Sequence, residues 1–225
     1  MSWMTDMGIA AGEVAEISMY LKEPYYNVSE IIPCDDPEVS AKDFIRSVPD
    51  TRAMFDAIEV AILLSTGELE NTAVTTVAMK LLRENEEIFK TSSAAKVMHH
   101  ALLGGLVYHS YRMVKAAEAL CCVYTDLDAE MLIAAAVLHD IGKIVELKTT
   151  ITGEADYTID GRLFGHLLIG IQMIEKTAEE LGVKGERIRL LKHCIAAHHG
   201  KAEYGAITIP ATAEAQALNI LDISN

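Results

Sequence analysis

Residues 134–147, AAAVLHDIGKIVEL, set His139, Asp140 and Lys143 inside an otherwise apolar run. Three alanines, Val137 and Leu138 read as a buried helix. An unpaired carboxylate or imidazolium is costly to bury, or it neutralises instead. Any fold that accepts this segment must therefore bring partners to polar groups in its interior. Gly142 is expected to close the helix just after the pair, so that His139 and Asp140 share the final turn. Neighbours about 100° apart on that turn converge on one point, and Lys143 lies near enough to face it.

The rest of the chain reads as helices. SAKDFIRSV opens at Ser40 as an N-cap, and DTRAMFDAIEVAILLSTG puts Met54, Phe55, Ile58, Ile62 and Leu63 near one face. NTAVTTVAMKLLRENEEIF begins at Asn71, and SSAAKVMHHALLGGLVYHSYRMVKAAEAL and DAEMLIAAAVLHDIG begin at Ser and Asp caps. GHLLIGIQMIEKTAEELG and GERIRLLKHCIAAHHG each close on glycine, and a last helix starts near Thr212. Ala, Leu, Ile and Met are plentiful and aromatics scarce, which favours helices over a β-sandwich. The expectation is an all-α bundle of about seven or eight helices spanning 41–225, with at most a short β-hairpin near 147–160. Residues 1–40, rich in proline and turn formers, read as an irregular arm or linker.

Charge and cysteines narrow the function. The net charge is −14, with 33 acidic against 19 basic residues, which excludes a broad basic face for duplex nucleic acid. A local phosphate pocket stays open if bound cations supply the positive charge. No apolar run approaches the length that spans a bilayer, and the N-terminus lacks the pattern of a secretion signal. Cys34, Cys121, Cys122 and Cys194 show no C-x-x-C spacing, so a reducing cytoplasm is the expected location.

All eight histidines stand at or after residue 99, and several sit in or beside apolar helical runs. Singly, a histidine is a satisfied core or surface residue. As a set, four separated segments offer imidazoles and two add an aspartate. Imidazole and carboxylate together are usual ligands of Mn, Fe, Co or Zn, and a carboxylate can bridge two ions. Paired ions suit phosphoester hydrolysis, because they activate a water and neutralise phosphoryl oxygens. Lys143 would add a point charge to a substrate phosphate.

The order of GGLVYHS, LHDIGK, GH, HHG and a late aspartate resembles the HD-domain metal-dependent phosphohydrolases, and within them the YhaM-type 3′–5′ exoribonucleases. The blocks SSAAKVMHHALLGGLVYHS, LHDIGKIVEL, YTIDGRLFGH, LLKHCIAAHHGKAEYG and PATAEAQAL carry the likeness over most of residues 90–222. The resemblance implies an HD-type helical bundle with its motif-bearing core at 91–222. It implies that His109, His139, Asp140 and Asp222 hold a first ion. Asp140 would bridge to a second ion held by His166 and by His198, His199 or both. The ions would be one or two divalent cations, with Mn, Fe, Co, Ni, Zn and Mg undistinguished. Asp140 and Lys143 would take the catalytic roles. His99, His100 and His193 fall at family positions that support ligands or pack. Arg112 and Arg162 either reach a substrate phosphate or are solvated charges; Tyr204 either stacks on a base or, like Glu203, simply builds a loop.

The chain departs from that branch in four places. Forty residues are too few for the OB-type module expected before the HD domain. Asn219 replaces a histidine, Ala206–Ile207 replaces Ser–Pro, and the sequence reaches Asn225 three residues after Asp222. The expected partners are a phosphorylated small molecule or a single-stranded nucleic-acid 3′ end, with no membrane, and a second copy of the chain that would steady the last helix. The alternative reading is a weakened HD domain that binds metal or nucleotide as a regulatory module.

Overall fold

The computed structural model describes residues 9, 13–39, 44–67, 72–94, 102–150 and 154–225. The chain divides into two compact units, Met1–Arg46 and Ser47–Asn225. In the first, β1 (Ala15–Lys22) pairs antiparallel with β2 (Tyr25–Pro33). This corrects the expectation of an irregular arm. Ile17, Met19 and Leu21 alternate along β1 and face Ile31, Val28 and Tyr26 across the pair, the two-residue period of a strand. The prolines that argued against a strand lie at its margins: Pro24 in the turn, Pro33 at the end of β2.

The second unit is helical. Its elements are α1 (Thr51–Ser65), α2 (Ala73–Glu84), α3 (Glu86–Thr91), α4 (Gly105–Val123), α5 (Ala129–Leu138) and the single turn α6 (Lys143–Glu146). A small hairpin of β3 (Leu147–Thr149) and β4 (Ala155–Tyr157) follows, where a hairpin is expected. Then come α7 (Ile159–Glu180), α8 (Glu186–Ala197), a 3₁₀ turn at Ala202–Tyr204 and α9 (Ala213–Ser224). Among the described residues no helix is long and apolar enough to cross a membrane.

α5 is the hub, packed by α1, α2, α4, α8 and α9. A helix that is apolar all round belongs in the interior, and Glu130 to Leu138 are all buried. Leu132, Ile133, Val137 and Leu138 each contribute about 1.5–3 kcal/mol by burial, together enough to offset polar groups buried at the helix's end.

Polar contacts hold the outer helices in register. Asp128 caps α5 by accepting from Met131 N–H at 2.9 Å. The buried Glu130 carboxylate accepts from Thr75 N–H and Oγ1 on α2, and from Thr72 Oγ1. Arg187 of α8 donates to both Asp128 and Glu130, at 2.6 and 2.8 Å. Burial raises the Asp128 pKa, but the Arg187 and Met131 hydrogen bonds outweigh it and leave the group below its ordinary value. A lowered folded pKa gives stability that is present above the unfolded value and lost as pH falls through the folded one. Arg187→Ala is therefore expected to be less stable than wild type by a constant margin above about pH 4, a margin that shrinks below it. Urea unfolding of both proteins across pH 2.5–7 measures this, and a margin flat over that range contradicts it.

Several expected boundaries move. α2 is capped by Thr72 Oγ1, 3.3 Å from Thr75 N; Asn71, like Ser40, lies outside the described residues. Leu63, expected on the buried face of α1, is exposed, and Ala61 is buried in its stead. Of the helix expected from residue 92, residues 92–94 and 102–104 are not helical and α4 begins at Gly105, while 95–101 lie outside the described residues. Gly104 before it has φ +78°, and a Cβ there would sit 2.6 Å from Thr51 Cγ2. α5 ends at Leu138, a turn before Gly142.

Candidate metal centre

His109 projects from α4, and His139 and Asp140 from the turn that ends α5. His166 comes from α7, His198 and His199 from the end of α8, and Asp222 from α9. His139 and His198 are the C-cap residues of α5 and α8. Seven side chains from five stretches of chain thus gather in the interior of the helical unit.

They form two sets of donor atoms. In the first, His109 Nε2 and His139 Nε2 lie 3.0 Å apart. Asp222 Oδ1 is 3.3 Å from His109 Nε2, and Asp140 Oδ2 is 3.3 Å from His139 Nε2 and 3.6 Å from His109 Nε2. Ligands about 2.1 Å from one ion are separated by about 3.0–3.4 Å in octahedral or tetrahedral arrays, a spacing met by the 3.0 Å and the two 3.3 Å pairs, while His109–Asp140 at 3.6 Å and His139–Asp222 at 3.9 Å are wider. In the second set, Asp140 Oδ1 is 3.4 Å from His166 Nε2 and 3.9 Å from His198 Nε2. Donor atoms of His166, His198 and His199 all fall within 4.8 Å of one another. The two oxygens of Asp140 face different sets, so one carboxylate joins both.

Hydrogen bonding behind the rings aims their lone pairs. His139 Nδ1–H donates to Ala136 O at 2.9 Å, and His198 Nδ1–H to Ile195 O at 2.8 Å. His166 Nδ1–H donates to Glu146 Oε1 at 3.1 Å. Each bond places the ring proton on Nδ1 and leaves Nε2 as an acceptor facing the centre. Asp140 Oδ1, His166 Nε2, His198 Nε2 and His199 Nδ1 are buried without a hydrogen-bond partner among the described residues. Buried polar atoms rarely go unpaired, and four converging on one place fit a cation.

The electrostatics agree. Burial, then the neighbouring His139, push His198 down to about 3, so it is neutral at physiological pH. Burial, then His166, lower His199. Burial opposes ionisation of Asp140, but Lys143 and His139 outweigh it and hold the carboxyl well below its usual range. Burial likewise opposes charge on His139 and Lys143, yet Asp140 raises both. Neutral His198 and His199 beside an ionised Asp140 are protonation states that metal binding requires, whereas His139, raised by Asp140, must give up its proton to become a ligand.

Lys143 Nζ donates to Asp140 Oδ2 at 2.7 Å, beside the donor atoms as its place in the sequence suggests. The other candidates are engaged elsewhere. Arg112 lies over the Tyr108 ring, Arg162 pairs with Asp156 at 3.6 Å, and exposed Tyr204 sits beside Lys201. Glu203 lies 3.4 Å from Lys201. His193 Nε2 accepts from Ala211 N–H at 2.9 Å, which ties down the loop leading into α9. His99 and His100 lie outside the described residues. Sequence reasoning missed two supports. Glu146 holds His166, and Asn219 donates to His198 O at 2.6 Å. It also missed Asn225, whose Nδ2 donates to His109 Nδ1 at 3.1 Å, an arrangement that puts a neutral ring's proton on Nε2, unlike the rings of His139, His166 and His198. A lone acid within KIVEL was a signal for Glu146; nothing in the sequence marked Asn225.

The fold and the donor sets define an all-α domain with two carboxylate-linked, imidazole-rich groups suited to divalent cations. The chain belongs to the HD-domain family, whose model matches residues 106–223. It is 36% identical over 186 residues to a protein of Halalkalibacterium halodurans named 3′–5′ exoribonuclease YhaM, covering 82% of this chain and 56% of that one. The Geobacillus sp. protein of the same name is 36% identical, covering 82% and 55%. That of Bacillus subtilis is 33% identical over 211 residues, covering 93% and 65%. The chain thus spans between 55% and 65% of the length of these relatives. No solved structure matches it significantly.

Proposed function

We propose that the chain is a metal-dependent phosphohydrolase that removes nucleotides from the 3′ end of RNA. The observation that carries this is Asp140, whose two oxygens face two separate donor sets. When bound there, paired divalent cations would lower the pKa of a water and neutralise phosphoryl oxygens. His109, His139, Asp140 and Asp222 would hold one ion, and Asp140, His166, His198 and His199 the other.

The chain's own groups do the positioning. Lys143 gives one N–H to Asp140, keeping its carboxylate ionised, and has further N–H donors for a phosphate oxygen. Burial pushes the Cys194 thiol up to about 12, which keeps it protonated, and the donor groups contain only imidazoles and carboxylates, so water is the proposed attacking group. The relatives named as 3′–5′ exoribonucleases favour RNA as substrate. The surface favours action at an end rather than along a strand. Many lysines and arginines, including Arg52, Lys80, Arg83, Lys90 and Lys192, are paired with carboxylates, so the described residues offer little free positive charge for a backbone track.

Incubating the protein and Mn²⁺ with 3′-labelled and 5′-labelled RNA, beside a panel of mono- and dinucleotides, tests the reading. Stepwise shortening from the 3′ end is expected. Turnover of the small nucleotides alone replaces RNA with a nucleotide substrate. Chelation should also destabilise the fold. An ion at a hundred times its Kd adds about 2.7 kcal/mol, so EDTA is expected to lower Tm by roughly 5–10 °C. An unchanged Tm in differential scanning calorimetry argues against bound metal.

A further inference from the structure

We infer that Glu146 is a positioning residue that fixes His166, and lends negative charge, for the cation at the second donor set; this rests on the metal reading above. α7 is interrupted at Gly165, whose φ of 67° and ψ of 160° are not helical. Where the helix resumes, the first N–H groups need outside acceptors. Glu146 Oε1 accepts the His166 N–H at 3.0 Å, and the same oxygen accepts its ring Nδ1–H at 3.1 Å. One carboxylate oxygen therefore sets both the backbone and the ring of a single residue, and aims Nε2 at Asp140 Oδ1.

Charge separates this imidazole from its neighbours. His139 and His198 donate to neutral backbone carbonyls, whereas His166 donates to a carboxylate, which makes its other nitrogen the stronger ligand. The first set contains two carboxylates, Asp140 and Asp222. The second contains only the shared Asp140, and Glu146 supplies a second negative group one imidazole away. Its own backbone is clamped. Glu146 O accepts from Thr158 N–H at 2.9 Å, and a Cβ on Gly161 would lie 2.2 Å from that oxygen.

Mn²⁺ binding to the full chain, followed by electron paramagnetic resonance and elemental analysis, tests the assignment in wild type, Glu146→Gln and Glu146→Ala. Wild type is expected to bind two ions. Glu146→Ala is expected to weaken one of them by about 10–100-fold and leave the other unchanged. Glu146→Gln keeps an acceptor without the charge, so its loss is expected to be smaller. Imidazole ¹⁵N spectra of the metal-free proteins should show a single Nδ1–H tautomer at His166 in wild type and Glu146→Gln, and mixed tautomers in Glu146→Ala. Both ions bound at wild-type affinity in both variants overturns the role of Glu146 alone. Equal weakening of both ions also overturns it, since that signals a merely structural contribution. A wild type that binds no ion overturns the metal reading and this inference together. Should Glu146→Ala fail to fold, the loss expected of Glu146→Gln decides the matter.

Discussion

Asp140→Asn is expected to bind at most one ion, weakly, and to lose turnover on RNA by about 10³-fold or more. Removing a single electrostatic stabiliser from a catalytic site typically costs about 10²–10³ in rate. Asp140 serves both donor sets at once, so the upper end of that range is the lower bound here. An amide also cannot match a carboxylate that Lys143 and His139 hold ionised far below its usual pKa. The substitution removes the counter-charge of Lys143, whose side chain is only 19% exposed. Elemental analysis of the purified variant and steady-state turnover on 3′-labelled RNA check the result. A variant that retains two tightly held ions and a tenth of the rate would remove Asp140 from the centre of the site.

The largest expected effect on stability comes from Gly142→Ala. Gly142 has an ordinary helical φ of −61°, so backbone strain is not the issue. Space is: an added Cβ would lie 2.0 Å from His166 O and 2.8 Å from Gly170 N, both backbone atoms that no rotamer change can move. Overpacking a dense interior costs about 1–3 kcal/mol when side chains can adjust. Here the helix itself must shift, so about 3 kcal/mol or more is expected, a fall in Tm of roughly 6–12 °C for a unit of this size. The displacement acts on His166 directly, so the ion of the second set should be lost along with the stability. Calorimetry and Mn²⁺ stoichiometry of the same preparation test both parts. A Tm within 2 °C of wild type contradicts the close approach.

Much of the site was readable because its signals are local. His139 and Asp140 are adjacent and Lys143 follows within a turn; Gly142, read as the helix end, instead lies beyond Leu138 with a helical φ of −61°. The apolar character of α5 follows from its composition, since the eight consecutive residues Met131–Leu138 leave no polar face. What escaped depends on tertiary approach. Glu146 looks like a stray charge until the break of α7 at Gly165 brings it His166, twenty residues further along the chain. Asn219 reads as a lost histidine, yet it braces the backbone of His198, and Gly200 leaves room for its amide, which a Cβ there would approach to 2.7 Å. The hairpin at 15–33 was hidden because Pro24 and Pro33 were weighed against strands without regard to their place at the ends. For Arg112 and Arg162 the sequence left two readings open, and in the structure one lies over the Tyr108 ring and the other pairs with Asp156.

Two helices, α5 and α8, finish at the donor atoms, each with a histidine as its last cap. The carbonyl end of a helix carries about half a negative charge, and it adds here to the ionised aspartates. A phosphate approaching the bare pocket therefore meets a repelling field. On the proposed reading, ions held at the donor sets would offset that field, so ion loading is expected to precede capture of a phosphorylated ligand, an order set in part by the backbone.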